Sequence, residues 1–346
     1  PGSSNFRAKY NMNTIQTDVL VIGSGLAGAT AALEATHQGC EVVMVGKGLL
    51  LGGNSILANG WWLTPGGDFT PEEYCKFVIN GGKGLNDPNL VKVLAERSQE
   101  AVAELRGLGF PFSRVPEKRI WSLDMTDHEG YPGYLAMQFL RDEIKLHPVV
   151  TLARTIVSGL LLDDGRVVGA VARQGGQTIC IKAKAVVLAT GGGGAIYERN
   201  DNHGKATGDG YYLALRAGAL LRDMELVQFY PLGIAEPPST SAIIYPPIPE
   251  GAKMLAADGE DIFAKHGLSY TLNQSILEHR DQLTILMSEE GMTGPVTMDY
   301  TNIPETSWND WFMAKLLKRR PEVKSRPFAI TPSAHFFMGG VAIDTT

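Results

Sequence analysis

The sequence predicts an α/β protein that opens on a Rossmann-type βαβ unit and carries a second, inserted domain. Three observations lead there. A strand, a glycine-punctuated turn, a helix and a second strand follow one another between residues 17 and 45. A further buried strand, Ala185-Val186-Val187-Leu188-Ala189-Thr190, runs into another block of glycines. Beyond Pro231 the regular βα alternation stops, and proline becomes dense until Pro327.

Taken in order, residues 17–22 (TDVLVI) are a short apolar run closed by glycine, the pattern of a buried parallel strand. Residues 26–38 are alanine-rich and helical, and Gly39 stops them. EVVMV at 41–45 is the second strand. Helix is predicted over most of 72–108, where apolar positions recur at helical spacing after Thr70-Pro71, and again over 135–146. Residues 149–173 carry strand signals around a turn at Asp163-Asp164-Gly165. A helix follows the second glycine block at 208–217. Pro237-Pro238 and the prolines at 246, 247 and 249 mark the insertion, and residues 328–331 are extended again. The predicted domains are 12–232, an insertion at 233–327, and a return to the first domain at 328–346.

Composition narrows the function. Hydrophobic residues make up 44% of the 346 and charged ones 20%, which is ordinary for a soluble globular chain. A net charge of -6 argues against nucleic acid as a partner while allowing a local basic pocket. Cys40, Cys75 and Cys180 form no C-x-x-C pair, so no cysteine-held zinc or iron–sulfur site is expected within the chain, and a reducing compartment is. No apolar run reaches the ~18 residues of a membrane helix. Residues 1–11 lack a hydrophobic signal core, and Met12 reads as the natural start behind an added leader. The expectation is a soluble, cytoplasmic protein.

The chemistry begins at Gly23-Ser24-Gly25-Leu26-Ala27-Gly28, between a strand and a helix. Gly23 permits the tight turn, Gly25 lets the backbone approach a pyrophosphate, and Gly28 lets helix and strand pack closely, with the helix N-terminus facing the phosphate charge. A glycine-rich turn with no ligand is the bland alternative, and the βαβ context disfavours it. The acid that often ends the second strand of such a unit to accept a ribose hydroxyl is absent; Gly46-Lys47 stands there, which weakens a plain NAD reading.

Further blocks follow in order: Gly52-Gly53-Asn54-Ser55, Ala189-Thr190-Gly191-Gly192, Thr207-Gly208-Asp209-Gly210, Gln228-Phe229-Tyr230-Pro231, His279-Arg280-Asp281, Gly294-Pro295-Val296 and His335-Phe336-Phe337-Met338-Gly339-Gly340. In order and spacing they resemble the flavoprotein subunit family of succinate dehydrogenase, fumarate reductase and L-aspartate oxidase, from about residue 16 to the end. The resemblance implies a three-layer Rossmann-like FAD domain around a central parallel sheet, with an inserted α+β capping domain. It implies that Gly23, Gly25, Ala27 and Gly28 meet the FAD pyrophosphate and that Lys47 lies near the adenosine ribose. Gly53, Asn54 and Ser55 would lie beside the flavin, Thr190-Gly191 behind the cofactor, and Asp209 on its ribityl or phosphate side. Where the respiratory complexes have a histidine that attaches FAD covalently, this chain has Asn54, so non-covalent FAD is expected. Arg280 would donate or accept a proton opposite the flavin hydride, and His335 would bind a substrate carboxylate. The bland alternative for Arg280 is a surface contact with Asp281 in a helix, and its place within the inserted domain favours the catalytic reading.

The chain also departs from the family. Tyr230 stands where a second substrate-binding histidine is usual, and a phenol carries no positive charge at neutral pH. In the proton relay, one alignment places Glu250 and Lys253, and another leaves both positions apolar or aromatic. Asp127-His128-Glu129-Gly130 replaces the run typical of aspartate oxidases, so aspartate is not the expected substrate. Family members continue after His335 with a segment that carries a clamping arginine, and the expectation is that this chain is part of a longer one. The implied function is FAD-dependent hydride exchange with a small carboxylate, with electrons passing to a separate carrier or iron–sulfur subunit. Alternatives are a flavin dehydrogenase for an enone or larger carboxylic acid, and a degenerate, non-catalytic flavin-binding subunit.

Overall fold

The computed structural model describes residues 13–115, 120–123, 125, 131–237 and 242–345. Met12 and the 127–130 segment lie outside them. The described residues divide into two compact units: those up to 191, 208–222 and from 341 on form the first, and those within 192–207 and 223–340 the second.

In chain order the first unit contains β1 (Asn13–Ile22), α1 (Leu26–His37), β2 (Val42–Val45), β3 (Trp61–Leu63), α2 (Pro71–Gly81), α3 (Pro88–Gly107), β4 (Phe112–Val115), β5 (Ile120–Leu123), α4 (Pro132–Lys145), β6 (Val149–Leu152), β7 (Thr155–Asp163), β8 (Arg166–Gln174), β9 (Gln177–Leu188), α5 (Asp209–Arg216) and β10 (Leu221–Arg222). Its main sheet runs β6-β2-β1-β9-β8-β7, parallel from β6 to β9 and antiparallel through β8 and β7. β1 sits between two parallel neighbours and is buried on both faces: Leu20 lies opposite Val43 and Val186, and Leu20 and Val21 are inaccessible to solvent. Its continuous apolar run follows from that burial. The inner face of α1 is small, with Gly28, Ala29 and Ala32, which brings the helix close to the sheet; α4 adds Met137 and Leu140 to the same core. β9 is longer than its apolar stretch predicts. A Gly175-Gly176 turn folds β8 back beside it, and residues 179–182, ahead of the apolar run, are strand with ladder partners on both sides. The small β3-β5-β4 sheet has no period-two signal long enough to read.

The second unit contains β11 (Val227–Ile234), β12 (Lys253–Leu255), α6 (Ile262–Lys265), α7 (Leu272–Glu278), α8 (Arg280–Gly291), β13 (Val296–Asp299), α9 (Trp311–Arg319) and β14 (Phe328–Phe337). Its sheet is antiparallel, in the order β11-β14-β13-β12, over a core of Leu232, Met254, Ile276, Leu283, Met298, Tyr300 and Phe328. This is an α+β arrangement. The bounds expected from proline density, 233–327, fall inside this unit, because β11 and β14 pair with each other and β14 with the insertion's own β13. Pro231 and Pro332 fall where the β11–β14 register slips between Tyr230 and Gly233, since neither proline offers an N–H to a ladder. Thr284 ties α8 to β11 by donating to the Phe229 carbonyl at 3.2 Å. No helix among the described residues is long and apolar enough to cross a membrane.

Candidate active site

The first unit offers a cradle made of backbone. A Cβ on Gly23, whose φ is +114°, would lie 2.0 Å from the Ala189 carbonyl oxygen; one on Gly28 would lie 2.1 Å from that of Gly23. The β1–α1 turn, the start of α1 and the end of β9 therefore approach more closely than any other residue permits. Gly25 precedes α1 without a side-chain cap, and Ala27 is exposed in the first turn. Ser55 is placed at that same helix end, where its hydroxyl accepts from the Leu26 amide at 2.9 Å. Gly53 and Gly191 both adopt φ +70° with open space where a side chain would start. Asn54 lies beside Gly53 in a short 3-10 turn, residues 53–57. A helix N-terminus without an acidic first turn, flanked by bare glycine backbone, has the donor chemistry of a pyrophosphate site. The residues present fit a dinucleotide such as FAD.

Lys47 and Asp209, far apart in sequence, meet here: the ammonium lies 2.6 Å from the carboxylate, and both side chains remain partly exposed. Asp209 opens α5 directly after Gly208, which is left-handed at φ +76°. The next residue, Gly210, has Thr190 so close that a Cβ would meet its hydroxyl at 1.9 Å. The end of β2, the end of β9 and the start of α5 thus converge within the first unit.

The second unit offers a cluster made of side chains. Arg280 begins α8, donates from Nε to the Ile276 carbonyl at 3.1 Å and from Nη1 to Gln228 at 3.2 Å, and lies 5.1 Å from the centre of the Tyr230 ring. Its Nη2 has no protein partner among the described residues. On the same ring, 5.5 Å away, sits the His335 imidazole, which also leans on Phe336. His335 donates from Nδ1 to the Asp201 carboxylate at 2.6 Å. The Tyr230 hydroxyl donates to the Ile244 carbonyl at 2.8 Å, and its ring lies against Arg280 and His335. Burial pushes the phenol far above its ordinary range, with Asp201 adding to the effect and Arg280 opposing it.

Glu250 and Lys253 are not brought to this cluster. Glu250 is exposed in a turn, and Lys253 is exposed on β12, the edge of the sheet opposite to β11, which carries Gln228 and Tyr230. Two participants escaped sequence reasoning. Asp201 lies in Asn200-Asp201-Asn202, whose alternating polar residues read as an ordinary loop; Gln228 was visible only as part of a longer block. Among the described residues no group of three or more His, Cys, Asp or Glu could hold a metal ion.

Known proteins resemble the chain along nearly its whole length. The family described as an FAD binding domain matches residues 18–346. The chain is 29% identical to a component of the CoM/CoB fumarate reductase of Methanothermobacter marburgensis over 95% of its own length and 64% of that protein's. It is 30% identical to an L-aspartate oxidase of Streptomyces coelicolor, over 95% of this chain and 60% of that one. Among solved structures, a quinol-fumarate reductase with menaquinol molecules superposes with a TM-score of 0.82 at 26% identity, covering 96% of this chain and 63% of that one. The chain thus spans about three-fifths of the length of the curated relatives it matches.

Proposed function

This chain belongs to the FAD-binding flavoprotein family that includes fumarate reductase flavoproteins and L-aspartate oxidases, and from that premise we propose that it acts as an FAD-dependent oxidoreductase on a small carboxylate. The observation that carries the proposal is the grouping of Arg280 and His335 around one buried ring, Tyr230. Bound FAD supplies hydride exchange. In the first unit Gly23 and Gly28 allow the tight turn at the start of α1, where the helix N-terminus and Gly25 would take its pyrophosphate, and Lys47, Asp209, Thr190 and Gly191 flank the same cradle. Asn54 has no nucleophile with which to form a covalent flavin bond, so the cofactor is held without one; acid precipitation should release all flavin into the supernatant.

In the second unit His335 takes a substrate carboxylate, and Arg280 holds the proton exchanged at the neighbouring carbon. Its Nε and Nη1 are tied to Ile276 and Gln228, which fixes the guanidinium plane and leaves Nη2 for the substrate. A guanidinium is a permanent cation, so it serves as acid only while a neighbour restores the proton. Electrons reach or leave the flavin through a separate protein or carrier, as the relatives named as subunits of fumarate reductases lead one to expect.

The test is anaerobic. The purified, flavin-loaded chain is reduced, and fumarate is added while flavin absorbance is followed. Reoxidation by fumarate supports the proposal. A second reading, a flavin dehydrogenase acting on an enone or a larger carboxylic acid, is favoured by Tyr230, whose hydroxyl is engaged by Ile244 and unable to bind a second carboxylate. Reoxidation by an enone with no response to fumarate selects it.

A further inference from the structure

His335 is a candidate ligand for a carboxylate, but an imidazole presents either nitrogen unless something chooses between them. In this chain something does. The Nδ1 of His335 lies 2.6 Å from Asp201 Oδ2, and both side chains are largely buried, at 16% and 9% exposure. An ionised carboxylate only accepts, so the proton between them belongs to Nδ1. Nε2 has no hydrogen bond to protein among the described residues, and it is not among their sealed, unpartnered polar atoms.

The segment that carries Asp201 is itself fastened to the strand that carries His335. Asn200 bridges in parallel to Ala334 on β14, and the Asn202 side-chain amide donates to the carbonyls of Ala334 at 3.0 Å and His335 at 3.1 Å. Asn200 also donates to the Tyr197 carbonyl at 2.7 Å and accepts from the Asn202 amide at 3.0 Å. Asp201 therefore has little freedom to leave the imidazole, and the ring also packs against Tyr230 and Phe336.

We propose that Asp201 is the positioning residue of this site: it holds the proton of His335 on Nδ1 and thereby makes Nε2 the atom offered to substrate. This inference rests on the carboxylate reading given above. It adds a specific division of labour. When Nε2 also carries a proton, the ring donates to a substrate carboxylate while Asp201 offsets its charge, so His335 binds and orients the carboxylate and Arg280 is left for the proton exchanged at the neighbouring carbon.

The readout is the nitrogen spectrum of the full chain labelled with 15N-histidine, with His335 assigned through His335→Gln among the seven histidines. The wild-type chain should show His335 protonated at Nδ1, and succinate should move the Nε2 signal. Asp201→Asn, which keeps the shape but can donate as well as accept, should abolish the preference for Nδ1–H. It should also weaken succinate binding about tenfold or more, in line with other partners that orient a ligating histidine. Asp201→Glu should restore part of both. A wild-type His335 with no proton on Nδ1, or nitrogen signals unchanged by Asp201→Asn, overturns the inference. If the Nδ1–H preference depends on Asp201 while succinate leaves the spectrum untouched, the positioning role stands and the carboxylate reading falls.

Discussion

In the first unit the candidate cofactor cradle is backbone: Gly23 and Gly28 let the β1–α1 turn close against Ala189 and α1 against the turn, and Gly53 and Gly191 leave open space where a side chain would start. In the second the candidate site is side chain: Arg280, Gln228, Tyr230, His335 and Asp201 each contribute particular atoms held by particular partners. The two surfaces should therefore fail in opposite ways. The cradle breaks when atoms are added and loses its cofactor; the cluster breaks when atoms are removed and loses its chemistry while the cofactor stays.

The largest expected effect is at Gly23. A methyl there would lie 2.0 Å from a carbonyl oxygen on backbone that is already left-handed, so Gly23→Ala should cost about 3 kcal/mol or more. The purified variant should lack the flavin absorbance band and melt well below the parent. Retention of a full flavin band would mean that the turn is looser than the geometry describes. Next comes Arg280→Lys, which keeps the charge but cannot keep both the Ile276 and Gln228 bonds together with a free donor. Carboxylate-dependent turnover should fall by about 10²–10⁴-fold, with flavin content unchanged. Loss of flavin in this variant would break the contrast between the two surfaces.

The same contrast explains what could be read from the chain. A backbone cradle is local, since Gly23, Gly25 and Gly28 lie within one turn, so its spacing alone announces it. The side-chain cluster draws on residues 201, 228, 230, 280 and 335, and no spacing rule joins them. Arg280 and His335 were legible only through resemblance to other chains. Asp201 was not, because a carboxylate in a polar loop looks the same whether it faces water or an imidazole. The strands β3, β4 and β5 were missed for a different reason: three or four residues are too few to display a period of two.

Tyr230 tests which kind of surface a single residue belongs to. If its hydroxyl served the substrate, Tyr230→Phe would raise KM. Instead the hydroxyl satisfies the Ile244 carbonyl, so the substitution should cost about 1–3 kcal/mol of stability by leaving a buried acceptor unpaired. KM for the carboxylate should not change, as thermal melts and steady-state kinetics would show. Because burial holds the phenol protonated far beyond its ordinary range, Tyr230 should also contribute no alkaline limb to the pH–rate profile. A smaller effect is expected at Lys47. Its pair with Asp209 is 28% and 38% exposed, so Lys47→Ala should cost under about 1 kcal/mol, visible as a modest rise in the FAD dissociation constant.

The smallest effect should come from Lys253, which one alignment placed in the proton relay. β12 and β11 are opposite edges of a four-stranded sheet, and three strand spacings put them about 14 Å apart. Lys253 is exposed, and its backbone pairs with Asp299 on β13, away from the strand that carries Gln228 and Tyr230. Lys253→Ala, and likewise Glu250→Ala in its exposed turn, should leave stability within about 0.5 kcal/mol of the parent, as for other surface positions, and turnover unchanged. The measurement is the same fumarate-dependent reoxidation used for Arg280. A loss at Lys253 comparable to that at Arg280 would restore the relay alignment.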